Sequence, residues 1–404
     1  MKRTVRVGLS HGADYWLLSI VIVLLIVGLM MILSSSSALS YQMKGRSTFF
    51  LERQILWLLL GTGALYIFSR VDYHFWQVWP IPVVVILLTL LGLGVLLVLN
   101  RGTGGTGRWF FQRLLGAVGS SGQPSEVAKV SVIIYVAVWL ASKGDKVRQI
   151  TYGLLPFGFL LGTITVLIFL QPNLSTCLLI GATALTMFYM AGATVSQLLI
   201  LVAIAGALVG CGIITPTQYQ LDRIGVYKSD PFSDPLGPGL QPYHSLMALI
   251  SSNTTGVGLG NSREKLLFGE VAHTDLILAV VGEEVGFIGI LFIMALFVAF
   301  AYRGIRIALL SPDSLGSILA IGVTSWIIFQ AAIHAAVVTK SIPFTGIPLP
   351  FISYGGSALI AEMAGVGLLL SISRNAVKES EAGNADLAFG GRNGWARLSR
   401  PRGS

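Results

Sequence analysis

Charged side chains make up only 11% of the 404 residues, less than half the share of about 25% usual in soluble domains. With 54% of the residues hydrophobic, that scarcity excludes a chain that hides its apolar surface in one water-soluble core. Cysteine is nearly missing as well. The two present, Cys177 and Cys211, both fall in apolar runs and read as small core residues, which excludes a disulfide framework or a thiolate metal site. Two-residue alternation of apolar and polar side chains is absent, so the runs are not strands of a membrane barrel. The net charge of +9 does not mark a nucleic-acid binder. Basic residues scatter over many loops, and the tail beyond Arg374 is rich in Gly, Arg and Ser without interleaved aromatics.

What the chain has in abundance is long apolar segments. A helix of about 20 residues crosses a hydrocarbon layer of about 30 Å, and in lipid the backbone must satisfy its own hydrogen bonds. Ten runs are read as helical spans: Tyr15 to Leu33, Ile55 to Ser69, Trp79 to Leu99, Glu126 to Leu140, Tyr152 to Leu170, Leu174 to Ala191, Leu198 to Ile214, Leu276 to Tyr302, Leu315 to Val338 and Leu349 to Ile372. The fold class is an all-α polytopic membrane bundle spanning residues 15–374. Short cytoplasmic ends flank it, 1–14 before and a disordered tail, 375–404, after. The first run is longer than the about 7–15 apolar residues of a signal peptide and is followed by Ser34 to Ser37 instead of a cleavage site, so it is retained. Lys2, Arg3, Arg6, Arg70, Lys143, Lys146, Arg148, Arg303 and Arg374 fall on one side, which the positive-inside bias makes cytoplasmic along with both termini.

Two segments on the other side are long. Residues 100–125 hold a cluster of Arg108, Trp109 and Arg113, and residues 215–274 form a loop of a length commonly tied to function. Within it, Ser245 to Ile250 is weakly apolar and reads as a dip back toward the membrane.

Ionisable groups inside spans are costly and count as functional candidates. Glu126 and Lys129 lie three apart on one helix face behind Pro124, either as a helix-start ion pair or as a site for a substrate anion. Gln171 and Asn173 stand between two spans, where Asn173 is the natural N-cap and a polar pocket is the other reading. Asp275 sits at the mouth of the eighth span, with Glu283 two turns deeper on nearly the same face and Glu284 pointing the opposite way. Lys265, Glu270 and His273 approach the same entrance. An acid there either favours the helix dipole or, partly desolvated, serves as a base toward an alcohol.

The ordered series QPSEVAK, LQPNLST, DPFSDPLGPGLQPYHS, GVGLGNSREK, EVAHTDLILAVVGEEVGFIG and GIPLPFISYGGSALIAEMAGVGLLLSISR resembles the SEDS family of bacterial cell-wall polymerases, the FtsW, RodA and SpoVE group. The resemblance runs from about Tyr15 to Arg374, and the GVGLGNS and QPSEVAK segments are more similar to the FtsW and SpoVE branch. It implies a ten-span enzyme of the cytoplasmic membrane that polymerises lipid II into glycan strands at the outer face, with the aspartate of the HTD motif, here Asp275, as catalytic base. Arg53, Lys129, Arg223 and Lys265 become candidates for the diphosphate. Glu126, Gln171, Asn173, His273 and Ser353 complete the implied substrate-binding set.

The resemblance further implies a class B penicillin-binding protein as transpeptidase partner, other divisome or elongasome membrane proteins, and lipid II and an undecaprenyl-pyrophosphate-linked glycan as ligands. A divalent cation, Mg or Mn, at the pyrophosphate suits the chemistry, although no ligand cluster with diagnostic spacing stands in the sequence and no protein metal site is assigned. One departure stands out: the family's QPDLGT reads QPNLST here, so Asn173 replaces an acid that could pair with Lys129. A lipid II flippase and a non-catalytic scaffold are the competing readings.

Overall fold

The computed structural model describes residues 12–100, 124–171, 173–210, 218–230, 232 and 239–376. The Arg108 to Arg113 cluster, the tail beyond residue 376 and parts of the long loop lie outside the described residues. All ten expected spans are helices: α1 (Tyr15–Lys44), α2 (Phe49–Arg70), α3 (Ile81–Asn100), α4 (Pro124–Lys143), α5 (Leu155–Phe169), α6 (Leu174–Met190), α7 (Val195–Gly210), α11 (Ile277–Leu309), α12 (Ser314–Val338) and α13 (Gly356–Arg374). The long loop adds α8 (Gln218–Lys228), α9 (Leu240–Ser251) and α10 (Glu264–Phe268). The expected dip at Ser245 to Ile250 is part of α9, which rests on α11 and α12.

Among the described residues six helical segments are long and apolar enough to cross a membrane, and shorter apolar helices lie at Ile81–Val95, Leu174–Met190 and Val195–Ala207. Their outward faces are unpaired hydrocarbon: Leu56, Leu59, Leu88, Leu91, Leu199, Phe287, Leu291 and Val298 are all exposed. Water would penalise such a surface, whereas lipid solvates it. The protein is therefore a multi-pass membrane protein. Its interior is built around α13, buried along almost its whole length from Gly356 to Ser373. Small residues let α2 approach it closely, as packing in lipid requires. A Cβ on Gly367 would meet the Leu65 carbonyl oxygen at 2.7 Å, and one on Gly356 would meet the Trp57 ring at 2.4 Å.

Polar side chains join the loops at each end. On the face that carries both ends of the bundle, Arg303 bonds Asp14, Arg374 donates to the Ser69 carbonyl at 2.8 Å, and His74 lies 2.6 Å from Asp313. Asp313 also caps α12 by accepting from the Gly316 N–H. The described parts of the 218–276 loop bond instead to the first turns of α11 and to residues 338–344.

Three departures from the expected spans have identifiable reasons. Helix α1 continues past Leu33 because Ser35 and Ser36 bond back to the Met31 and Ile32 carbonyls, satisfying their hydroxyls inside the helix. Residues 349–355 are not helical: Pro348 and Pro350 interrupt the ladder, Phe351 has φ 64°, and α13 starts only at Gly356. Helix α11 is broken at Gly286, φ 82°. There the chain 253–258 runs alongside the break. Val257 and Gly258 donate to the carbonyls of Glu283 and Glu284 at 2.9 Å, and Phe287 and Ile288 donate to Asn253 and Thr254 at 3.3 Å. These four bonds give partners to backbone groups on both sides of the break, as irregular backbone at membrane depth requires.

Candidate functional site

Asp275 lies just before α11, half-buried, its N–H donating to the Val271 carbonyl at 3.1 Å. Two bonds between chain segments hold the stretch that carries it. Ser353 donates its hydroxyl to the Thr274 carbonyl at 2.6 Å, and the Tyr354 N–H donates to the His273 carbonyl at 2.8 Å. Ser353 also accepts from the Leu349 N–H at 2.8 Å, so one buried serine closes the 349–353 turn and ties it to the residue preceding the carboxylate. Opposite stands Gly346, φ 68°, where a Cβ would lie 3.4 Å from Asp275 Oδ2. The carboxylate is thus positioned by two loops from distant parts of the chain and faces a residue with no side chain.

His273 and Lys265, both placed near a substrate by the sequence, are buried instead. His273 is 2% exposed, packed 4.4 Å from the Phe50 ring and 5.3 Å from Tyr354. Burial lowers its pKa to about 4, so the ring is neutral at physiological pH and acts as an aromatic wedge under Asp275. Lys265 donates to Glu284 at 2.7 Å and to the Gly260 carbonyl at 2.6 Å, while Ser34 donates to the other Glu284 oxygen at 2.5 Å. Its charge is spent inside the protein. Glu283 accepts from the Ser262 hydroxyl at 2.5 Å and the Arg263 N–H at 2.9 Å, so it supports the loop and does not face Asp275 as periodicity implied. The break at Gly286 thus lies just beyond two acids that both anchor residues 260–265.

A second buried cluster joins α4, α12 and α13. Lys129, 2% exposed, pairs with Glu126 at 2.6 Å, donates to Gln330 Oε1 at 3.1 Å and lies 5.3 Å from the Trp326 ring. Gln330 in turn donates to Glu362 and to the Pro348 carbonyl, and Glu362 accepts from the Phe351 N–H at 2.9 Å. The ion-pair reading of Glu126 and Lys129 holds, but as part of a deep network and not at an exposed helix start. Neither Gln330 nor Glu362 was singled out from sequence. A lone glutamine or glutamate within an apolar run was the available signal.

The remaining candidates divide. Asn173 caps α6 by accepting from the Thr176 N–H, and Gln171 donates to the Leu93 carbonyl at 2.8 Å. Arg53 stacks on the Phe49 ring at 4.7 Å, one residue from the Phe50 that packs on His273. Arg223 donates to the Phe344 carbonyl at 3.0 Å and lines a cavity of about 140 Å³ that Leu276, next to Asp275, also lines. Among the described residues no three His, Cys, Asp or Glu side chains converge to hold a metal ion.

A family profile described as cell cycle protein, covering FtsW, RodA and SpoVE, matches residues 15–378. The chain belongs to this family. A probable peptidoglycan glycosyltransferase FtsW of Geobacter sp. (strain M18) is 37% identical over 365 residues, covering 90% of this chain and 97% of that protein. Stage V sporulation protein E of Bacillus subtilis (strain 168) is 36% identical over 365 residues, covering 89% and 97%. A solved structure described as the structural coordination of polymerization and crosslinking by a peptidoglycan synthase complex superposes with a TM-score of 0.71 at 25% identity, over 90% of this chain and 98% of that one. Asn173 is taken up by its helix cap, while Lys129 finds its acid in Glu126, and Glu362 joins the same cluster through Gln330.

Proposed function

We propose that this protein is a peptidoglycan glycosyltransferase of the bacterial cytoplasmic membrane, joining lipid II units into glycan at the outer face with both termini cytoplasmic. The observation that carries the reading is Asp275, a half-buried carboxylate clamped at the mouth of α11 by Ser353 and Tyr354 and beside a cation-lined cavity. In the step, Asp275 takes the proton of the acceptor sugar 4-hydroxyl as that oxygen bonds to the anomeric carbon of the lipid-linked strand. The bond from that carbon to the diphosphate breaks, and undecaprenyl diphosphate leaves with the electron pair. Arg53 and Arg223 are the diphosphate candidates, Arg223 because it lines the cavity that Leu276 also lines, whereas Lys129 and Lys265 are buried in ion pairs. Among the described residues no group of three His, Cys, Asp or Glu side chains is placed to hold Mg or Mn. A class B penicillin-binding protein supplies cross-linking and activation; the likeness to a peptidoglycan synthase complex supports this partner.

The test is glycan synthesis by the purified protein with its transpeptidase and lipid II. Wild type is expected to build long strands and Asp275→Ala to lose at least about 100-fold in rate, the usual scale of a general base. Equal products from both would remove Asp275 from catalysis, while lipid II transport without chain growth would favour the flippase reading.

A further inference from the structure

The cavity beside Asp275 lies between α8, the start of α9, the end of α12 and residues 342–344. Its walls are mainly apolar, with Leu276, Val337 and Phe344 among them, and among the described residues its lining includes Arg223 and Lys340 but no acid. It holds a phosphate-sized group and not merely one water. The segment 340–346 serves both places: Lys340 and Phe344 line the cavity, while Gly346 faces the Asp275 carboxylate.

Lys340 stands one residue past the C-cap of α12 with φ 52°. That left-handed position favours glycine. A lysine there gives up backbone ease and places an ammonium at the cavity. Among the described residues it donates only to the Ser229 carbonyl, at 2.7 Å, out of the three bonds an ammonium can make. Two cations over an apolar wall match an anion joined to a hydrocarbon chain.

We propose that this cleft binds the diphosphate of a polyprenyl-linked sugar, with Lys340 as its specificity-determining cation; the proposal rests on the polymerase reading for its place in the reaction. Direct binding separates the two. In the full-length protein in lipid nanodiscs, wild type is expected to bind undecaprenyl diphosphate, with inorganic pyrophosphate competing and undecaprenyl monophosphate binding more weakly.

Lys340→Gly relieves the backbone and keeps or raises the thermal midpoint, yet weakens diphosphate binding about ten-fold, while Lys340→Arg restores it. Equal affinity of wild type and Lys340→Gly for undecaprenyl diphosphate overturns the assignment. So does tight lipid binding that pyrophosphate fails to displace, which would locate recognition in the tail. Absence of chain growth by wild type with its transpeptidase would instead remove the polymerase reading, and the binding comparison would still decide the cleft.

Discussion

At the scale of single residues, the site depends on charges withdrawn from water as much as on the one left at its edge. Lys129 is held by Glu126, Gln330 and the Trp326 face, and removing one member leaves the others buried and uncompensated. Lys129→Met is expected to cost about 3–5 kcal/mol of stability, read as a lowered thermal midpoint in detergent. Asn173 does the work of a cap, and aspartate caps a helix as well as asparagine does. Asn173→Asp is accordingly expected to change stability by less than about 0.5 kcal/mol, measured by the same melt.

Two histidines set opposite pH dependences. His273 has its pKa lowered by burial to about 4, so the unfolded chain binds the proton more readily than the folded one between pH about 6.5 and 4. Stability from this group is complete above that window and falls as pH falls through it. His273→Phe keeps the aromatic wedge against Phe50 and Tyr354 and is expected to flatten the acid limb of a midpoint-versus-pH curve. His74 is partly buried, which works against its charge, but the hydrogen bonds its ring donates to Asp72 and Asp313 and the negative charge of those carboxylates outweigh that and raise its pKa. Its contribution is present below the ordinary histidine pKa and is lost as pH rises through the raised value. Because His74 is about half exposed, screening keeps that contribution small.

At the scale of elements, the broken helix α11 organises the approach to Asp275. Glu283 and Glu284 anchor residues 260–265 through their side chains and residues 257–258 through their carbonyls. Both sides of the contact need glycine: a Cβ on Gly286 would lie 2.4 Å from the Gly256 nitrogen, and one on Gly256 would lie 2.4 Å from the Glu284 oxygen, each at positive φ. Gly286→Ala is expected to destabilise by about 3 kcal/mol from backbone strain and overpacking together, with glycan synthesis falling as the loop loses its anchor. Gly346→Ala presses on the Asp275 carboxylate and is expected to lower kcat more than the melting point, a split that a packing defect alone would not give.

Across the whole molecule, the apolar outer face and the enclosed α13 place polar chemistry in two layers. One is the buried Lys129 network; the other is the loop-covered mouth that holds Asp275, Arg223 and Lys340. Hydrophobic run length sufficed to place a helix at each of the ten expected runs, because each helix in lipid must close its own backbone bonds. The Asp275 mouth was legible through motif order. The neutral packing of His273, the pairing of Lys265 with Glu284 and the role of Glu362 were not, because Phe50, Glu284 and Gln330, their respective partners, stand 19 or more positions away and carry no local signal.

Run length and composition therefore determined by themselves that this chain threads a membrane as a helical bundle, since transfer of apolar surface and backbone satisfaction depend only on local sequence. Tertiary structure alone decided which charges are spent on each other and which reach the mouth. Desolvation and pairing depend on what other segments bring within a few ångströms, and that placement is a property of the folded whole.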